Sequence, residues 1–397
     1  MRTAVIGGGA AGFFLAVNLK EMAPTMQVDI FERSKRVLAK VEVSGGGRCN
    51  CTNDFEGVGD LSAVYPRGHR LMKRLFNVFG PHDAYAWFER HGVPLVVQAD
   101  HCVFPAAQDA HAVIDCFVGA ARRHGVRVLT GRAIDSLQQL DGYDYVVVAT
   151  GGSPRGQGLE WLRRLGHEIV PPVPSLFSLS IGDAALKSLM GTVVERASVQ
   201  LATTKVRTDG PLLITHWGLS GPAILRLTSH AARLLHEHDY RMTVNINWSG
   251  QTEAEVRENL SMMTIAHRMK QLTNVAPDGM TQRLWNYVVE KSLGDRASLR
   301  WVDIGKKDTN RLASTLVCDS IATTGRAPFR DEFVTCGGVS LTSVHPATLE
   351  SRVCPRVYFA GEVLDIDGIT GGFNFQAAWT TAYTVAKAIA NHALANT

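Results

Sequence analysis

Residues 3–12 read TAVIGGGAAG, and this stretch decides the fold. Its first four residues are β-prone and apolar, which is typical of a short buried strand. Gly7, Gly9 and Gly12 follow in a Gly-x-Gly-x-x-Gly spacing and open a helical pattern predicted over residues 10–22. Glycines at that spacing permit a tight turn, let a pyrophosphate approach the backbone, and allow close packing of helix on strand. The stretch therefore predicts a strand, a turn and a helix whose N-terminus favours an anion.

A second strand is predicted over residues 27–31, and it ends in Glu32. Glu32 lies twenty residues beyond Gly12, where a carboxylate can accept hydrogen bonds from ribose hydroxyls. The first 32 residues thus predict a βαβ unit that binds a dinucleotide. This pattern alone leaves NAD and FAD equally open.

Three further segments favour FAD. Residues 44–50 read SGGGRCN, where the glycines let the backbone press against a ligand and Arg48 can hold an anion. A strand predicted over residues 143–149 ends in Thr-Gly-Gly, a turn that passes the cofactor in flavoproteins. Residues 358–362 read YFAGE, and residues 371–374 read GGFN and open a long helix. A helix N-terminus can stabilise the negative charge of a reduced flavin.

The secondary-structure pattern changes twice along the chain. Alternating strands and helices predict a mainly parallel, doubly wound sheet, and β-prone pieces replace them after the PPVP stretch at 171–174. We predict an α/β fold in which a discontinuous Rossmann-like FAD-binding domain is interrupted by a β-barrel-like and a small helical insertion. The predicted bounds are 1–174 and 333–397 for the FAD domain, 175–250 and 320–332 for the β-rich insert, and 251–319 for the helical part.

Two local helix signals fall within the insertion. Thr252 and Glu255 fit a capping box, and the helix they open is predicted to run to about Leu272. Ser220 is predicted to cap a second helix that begins at Pro222.

Composition bounds the possible functions. A hydrophobic share of 45%, a charged share of 20% and a net charge of +4 over 397 residues describe an ordinary globular chain and disfavour a nucleic-acid partner. The sequence contains no run of eighteen apolar residues, so we expect no membrane association. The seven cysteines include no Cys-x-x-Cys, which predicts reduced thiols, a cytoplasmic location and no metal centre. Cys49-x-Cys51 is a weak redox or metal signal.

Taken together, these motifs resemble those of the bacterial BaiN/RdsA-type flavoproteins, which include aminoacetone oxidase-like members and reductases of bile-acid or steroid enones. The resemblance spans almost the whole chain and is carried by SGGGRCN at 44–50, GLSGPA at 218–223, GGV at 337–339, and GEVLD at 361–365 through GGFNFQ at 371–376. Two departures stand out: Leu38-Ala39 replaces the family's Gly-Arg pair, and the loop at 153–158 is shortened.

The resemblance implies that a set of residues from both ends of the chain lines FAD. These residues are Gly7, Gly9, Gly12, Glu32, Lys40, Gly45, Gly46, Arg48, Ile134, Thr150, Gly151, Gly361, Glu362, Gly372, Asn374 and Phe375. Ile134 is expected at the end of a strand-like piece after Gly131. For catalysis the sequence offers only the candidates Arg48, His216 and Asn374.

The favoured interpretation is an FAD-dependent oxidoreductase that acts on a small or medium organic molecule, with hydride transfer through flavin N5. Either NAD(P)H serves as a transient electron donor for reduction of a conjugated carbonyl compound, or an amine reduces the flavin and oxygen reoxidises it. A flavoprotein of tRNA modification and a non-catalytic FAD-binding redox protein are the alternatives. The oligomeric state stays open.

Overall fold

The computed structural model describes residues 1–327 and 334–395. The chain divides into two compact units, one formed by Met1–Ser175 with Arg330–Thr397 and the other by Leu176–Phe329. The boundary predicted between residues 332 and 333 lies outside the described residues. No described helix is both long enough and apolar enough to cross a bilayer.

The strands are β1 (Arg2–Ile6), β2 (Gln27–Glu32), β3 (Thr52–Asn53), β4 (Leu95–Val97), β5 (Cys102–Pro105), β6 (Arg127–Thr130), β7 (Tyr145–Val148), β8 (Ile169–Ser175), β9 (Leu179–Ile181), β10 (Val193–Leu201), β11 (Arg207–Ile214), β12 (Gly218–Ser220), β13 (Thr243–Asn247), β14 (Asp319–Arg326), β15 (Val334–Val339) and β16 (Val357–Phe359).

The helices are α1 (Ala10–Met22), α2 (Ala39–Gly47), α3 (His69–Leu75), α4 (Pro81–Arg90), α5 (His111–Arg123), α6 (Glu160–Arg164), α7 (Ala184–Lys187), α8 (Pro222–His230), α9 (Ala232–Glu237), α10 (Glu253–Ala266), α11 (Gln282–Leu293), α12 (Lys306–Val317) and α13 (Phe373–Ala395).

A five-stranded parallel sheet forms the centre of the first unit. Its strand order is β16-β7-β1-β2-β6, and every neighbouring pair is parallel. The central strand β1 is apolar because both of its faces are covered, and Ala4 and Val5 are fully buried. Strand β16, near the end of the chain, hydrogen-bonds to β7 and so completes a sheet that begins at residue 2. The predicted Rossmann-like fold is confirmed.

Helices α1 and α13 pack against each other through large aromatic side chains. The ring centroid of Phe14 lies 4.6 Å from that of Trp87 and 5.1 Å from that of Trp379. The indole N–H of Trp379 donates to the carbonyl of Cys51 at 2.8 Å, so its polar atom is satisfied inside the core. Burial of each such side chain contributes about 1.5–3 kcal/mol, which fixes the last helix beside the first.

The second unit contains a closed antiparallel barrel with strand order β10-β11-β12-β9-β14-β13. Pairing of β10 with β13 closes the barrel. Its interior is apolar, and Val199, Leu212 and Ile246 are fully buried. The predicted barrel-like insertion is confirmed.

Two details of the second unit differ from expectation. Helix α10 has the predicted capping box but ends at Ala266, because the Leu272 amide pairs with the Leu299 carbonyl and draws the chain out of the helix. The N-cap position of α8 is Gly221, with no side-chain cap. Ser220 instead hydrogen-bonds to Ser178 at 2.6 Å, so its predicted capping role is wrong.

Candidate functional site

The glycine turn between β1 and α1 is closed by direct backbone contacts. Gly7 has a φ of +117°, and a Cβ there would lie 2.3 Å from the Ala149 carbonyl oxygen. A Cβ on Gly12 would lie 2.0 Å from the Gly7 carbonyl oxygen. Gly9 differs from both, because no atom lies within 4 Å of its Cβ position. Two of the glycines are therefore required by packing, whereas Gly9 faces open space.

Helix α1 begins at this turn with no acidic residue and no side-chain cap of its own. Its N-cap residue, Gly9, provides no side-chain hydrogen bond, and its first turn contains no acidic residue. The helix itself therefore supplies no negative charge to its positive end, and the nearby Glu32 carboxylate is bound to the Gly8 amide of the preceding turn. This is the arrangement that binds phosphate at a helix N-terminus.

Glu32 ends β2 beside the same turn. One carboxylate oxygen accepts from the Gly8 amide at 2.8 Å, and the other accepts from the Ser34 amide at 2.8 Å. These bonds hold the carboxylate against the loop, and each oxygen retains a lone pair for a further donor.

The segment after β16 meets the start of α1. Gly361 has a φ of +76°, and a Cβ on it would lie 2.8 Å from the Ala11 side chain. Its neighbour Glu362 forms an ion pair with Lys40 at 2.7 Å. A carboxylate oxygen of Glu362 also accepts from the Thr335 amide at 2.8 Å. The Glu362 carboxylate is thus bound by two residues, Lys40 and Thr335, that lie far from each other in the sequence.

The pKa of Glu362 lies below its ordinary value of 4.5. Burial by itself would raise this pKa, but the Lys40 ammonium and the backbone N–H groups of Thr335 and Gly152 lower it by a larger amount. Glu362 is therefore ionised at neutral pH.

The SGGGRCN segment interrupts α2. Ser44 has an extended ψ of 148°, and Gly45 and Gly46 are left-handed with φ of +57° and +68°. A Cβ on Gly45 would lie 2.8 Å from the Phe104 ring, whereas the Cβ position of Gly46 is open. The Arg48 guanidinium lies 4.2 Å from the centroid of the Phe104 ring. It also contacts the Gln108 side chain at 3.3 Å.

The turn before α13 is held by its own polar side chains. A Cβ on Gly372 would lie 2.1 Å from the Thr52 carbonyl oxygen. The Asn374 side chain accepts from the Gly368 amide and donates to the Gly368 carbonyl, both at 2.9 Å. Phe375 stacks on Trp379 at 5.5 Å between centroids. Asn374 thus closes the turn, and its catalytic role stays a prediction.

The remaining predicted residues are more scattered. The ring of His216 is exposed in the second unit and makes an edge contact with Trp217. Thr150 and Gly151 follow β7, and the Cβ position of Gly151 lies 3.8 Å from a Glu362 oxygen. Ile134 lies in an irregular segment, so the strand expected there is wrong. Strand β6 ends at Thr130 because Gly131 turns with a φ of +67°.

Sequence reasoning missed Thr335. Its hydroxyl is buried and makes no hydrogen bond to any described residue. A Cβ on Gly152 would lie 2.2 Å from that hydroxyl, so the group lies directly beside the turn after β7. Its position two residues before the Gly-Gly pair at 337–338 was the available signal.

Sequence reasoning also missed a buried ion pair. The Arg67 side chain donates to both carboxylate oxygens of Asp367, and its Nε lies 2.5 Å from one of them. Asp367 is fully buried and also accepts from the Ser175 hydroxyl at 3.1 Å. This pair ties the segment just before the glycine-rich turn that precedes α13 to the segment before α3.

The cysteine pair at 49 and 51 is buried, with 3.8 Å between the two sulfurs. Burial raises the pKa of Cys51 well above its ordinary value, and the neighbouring Cys49 raises it further. The Cys51 thiol is therefore protonated and a poor nucleophile or metal ligand. Half-buried Asp54 and exposed Glu56 and His101 form a separate cluster, in which the Asp54 carboxylate raises the pKa of His101.

These features fit FAD. The open Gly9 position at an anion-binding helix end accommodates a pyrophosphate, and Glu32 beside it suits a ribose. The open Gly46 position lies in the SGGGRCN segment predicted to line FAD, and the buried Thr335 hydroxyl, without a partner among the described residues, lies beside the turn after β7.

The chain matches the family model described as HI0933-like protein Rossmann domain over residues 1–388. The chain belongs to this family. The match confirms the family resemblance drawn from the sequence, and FAD is the cofactor that we assign to the site.

Two relatives span nearly the whole chain. One is the 3-dehydro-bile acid delta(4,6)-reductase of Clostridium scindens, 26% identical, with 98% of this chain and 99% of the relative covered. The other is the ribosomal RNA dihydrouridine synthase of Escherichia coli, 27% identical, with 96% of each covered. Among solved structures, 3-ketosteroid delta1-dehydrogenase from Sterolibacterium denitrificans matches with a TM-score of 0.50 and 9% identity, covering 98% of this chain and 99% of that one. That last likeness concerns the fold alone.

Proposed function

We propose that this chain is an FAD-dependent reductase that adds hydrogen across a carbon–carbon double bond conjugated to a carbonyl group. The convergence of Lys40, Thr335 and Glu362 beside the glycine turn supports FAD binding, and the reaction type rests on the relatives. Bound FAD would supply hydride transfer through N5.

The two relatives narrow the reaction type. A bile acid delta(4,6)-reductase saturates a dienone, and dihydrouridine is uridine whose ring double bond next to a carbonyl has been saturated. In both substrates the double bond that is reduced is conjugated to a carbonyl group. This shared chemistry favours reduction of an enone-like group over oxidation of an amine.

We propose that Gly9 and the start of α1 hold the pyrophosphate and that Glu32 binds the adenosine ribose. Arg48 and the N-terminus of α13 would stabilise negative charge on the reduced cofactor. Glu362, ionised and fixed by Lys40, would accept hydrogen bonds and orient the linker between the two halves of FAD. The other residues that the family resemblance implies remain proposed contacts.

Anaerobic stopped-flow absorbance tests the reductase. The FAD-loaded protein is mixed with NADPH or NADH, and then with a 4-en-3-one steroid. We expect the visible absorbance of the oxidised flavin to be lost with one nucleotide and to recover when the enone is added. If neither NADPH nor NADH bleaches the flavin, the reductase proposal is wrong. Bleaching by aminoacetone, with recovery in air, would assign the amine oxidase reaction instead.

A second candidate is reduction of uridine in RNA, favoured by the 27% identity to the E. coli synthase over 96% of both chains. The test incubates the loaded protein and reduced nucleotide with bacterial ribosomal RNA transcripts and measures dihydrouridine by mass spectrometry. Dihydrouridine formation without enone turnover would select this function. Full FAD loading without turnover of either substrate would favour a non-catalytic redox protein.

A further inference from the structure

We propose that the C-terminal end of α10, together with the turn that follows it and the start of α12, is a docking surface for an anionic lipid membrane. The inference concerns the second unit alone and does not depend on the proposed reaction. It departs from the expectation of no membrane association, which rested on the lack of a spanning apolar run and does not bear on binding at a membrane surface.

Three large apolar side chains are exposed in series at this place. Met262 is 54% exposed, Ile265 is 74% exposed and Met269 is 69% exposed. Met262 and Ile265 are three residues apart on α10 and share a face. Met269 lies in the turn just beyond the last residue of the helix. Single exposed apolar residues are ordinary, but a contiguous group marks an interaction site.

Val302 extends this apolar group from a neighbouring segment. Its amide donates to the Arg268 carbonyl at 2.9 Å, which places it beside the turn, and the side chain is 36% exposed. The opposite face of α10 is anchored, because Val256 and Leu260 are buried. The helix therefore already has a core-facing side, and the fold does not need the exposed stripe.

Cations surround the apolar group. Arg268 and Lys270 flank Met269, and Lys306 and Lys307 begin α12, which follows Val302 closely. All four are exposed, and none forms an ion pair with a residue in 1–327 or 334–395. Three acids lie close to these cations in the chain. Asp303 pairs with Arg300, Asp308 is buried and pairs with Arg296, and Glu258 lies one turn before Met262.

The exposed apolar group and the cations around it together favour a membrane over RNA or a second copy of the chain. RNA would satisfy the cations but would gain nothing from Ile265 and the methionines. A symmetric contact with a second copy would place like charges opposite each other. Lysine is depleted at protein–protein interfaces, and three of the four cations are lysines. An anionic bilayer can bind both the apolar side chains and the cations. The apolar side chains enter the headgroup region, while the lysines and arginines contact acidic headgroups.

The test is co-sedimentation of the FAD-loaded protein with vesicles of phosphatidylglycerol and phosphatidylethanolamine, compared with pure phosphatidylcholine. We expect binding to the anionic vesicles that weakens as salt is raised. Ile265→Ser with Met269→Ser should lower the partition coefficient by about tenfold or more, and Lys306→Glu with Lys307→Glu by a similar factor.

Matched controls are Val353→Ser, which removes an exposed apolar side chain in the first unit, and Lys205→Glu, which reverses an exposed charge on the barrel. Both should bind as the unaltered protein does. Thermal midpoint and FAD content verify that every variant is folded.

Three outcomes would overturn the proposal. The first is no binding to anionic vesicles at low salt. The second is binding to a ribosomal RNA transcript that the lysine reversals abolish and the serine variant leaves intact. The third is a dimer in analytical ultracentrifugation that the serine variant dissociates.

Discussion

The Lys40 ammonium lies 2.7 Å from a carboxylate oxygen of Glu362, although 322 positions separate the two residues in the chain. This ion pair joins the segment after the first βαβ unit to the segment after the last strand of the sheet. Lys40 is 55% exposed and Glu362 is 19% exposed, so water screens the pair on one side only.

The two partners should not contribute equally. Lys40→Met removes a half-exposed charge and should weaken FAD binding by no more than about fivefold. Glu362→Gln also weakens the bond from the Thr335 amide, and we expect a loss of about ten- to a hundredfold. Flavin fluorescence titration of the apoprotein measures both. Equal effects of the two substitutions would contradict this assignment.

The acid stability of the apoprotein should depend on Glu362. Its pKa is lowered on folding, so its ionisation stabilises the folded state above about pH 4.5, and that contribution is lost as the pH falls through the lower folded pKa. Glu362→Gln should therefore lower the thermal midpoint at pH 6 and have progressively less effect toward pH 3. A difference that stays constant across this range would rule the linkage out.

Alanine substitutions at two glycines of the same motif should affect different properties, apoprotein stability at Gly12 and FAD affinity at Gly9. Gly12→Ala places a Cβ 2.0 Å from the Gly7 carbonyl and should destabilise the apoprotein by more than about 2 kcal/mol. Gly9→Ala meets no atom within 4 Å and has an ordinary φ of −94°, so the apoprotein should stay as stable as before. If the pyrophosphate lies there, Gly9→Ala should weaken FAD binding at least tenfold. Unchanged FAD affinity in Gly9→Ala would place the phosphates elsewhere.

The buried pair of Arg67 and Asp367 predicts a non-additive effect. Arg67→Met leaves a fully buried carboxylate without its partner and should cost about 3–5 kcal/mol in urea unfolding. Burial already raises the pKa of Asp367, so the variant should lose less stability at pH 5 than at pH 8. Adding Asp367→Asn should recover part of the loss. Strict additivity of the two substitutions would show that they do not interact.

Thiol reactivity should follow burial. Cys318 is exposed and should react rapidly with a disulfide reagent, whereas Cys49, Cys51 and Cys336 are buried and should react only after unfolding. Cys318→Ser should remove the fast phase. Rapid labelling that survives in this variant and is lost in Cys51→Ser would contradict the buried, protonated state described for Cys51.

Local sequence determined the elements that carry their own chemistry. The glycine spacing at residues 7–12 specified a turn and a helix, because only glycine fits the contacts of Gly7 and Gly12. The capping box at Thr252 and Glu255 likewise specified where α10 begins. Alternation of strands and helices indicated the parallel sheet, and the return of that pattern near the C-terminus indicated a discontinuous domain.

Only the tertiary structure decided which groups meet. The partners of the Glu362 carboxylate are the Lys40 ammonium and the Thr335 amide, which lie far from it in the sequence. No periodicity or spacing of residues encodes such long-range contacts. The end of α10 and the Ser220 contact also depended on pairing with distant segments, which overrode local propensity. The physical reason is the range of the interactions: turns and caps involve neighbours a few residues apart, whereas ion pairs and strand ends are fixed by whatever the folded chain brings alongside.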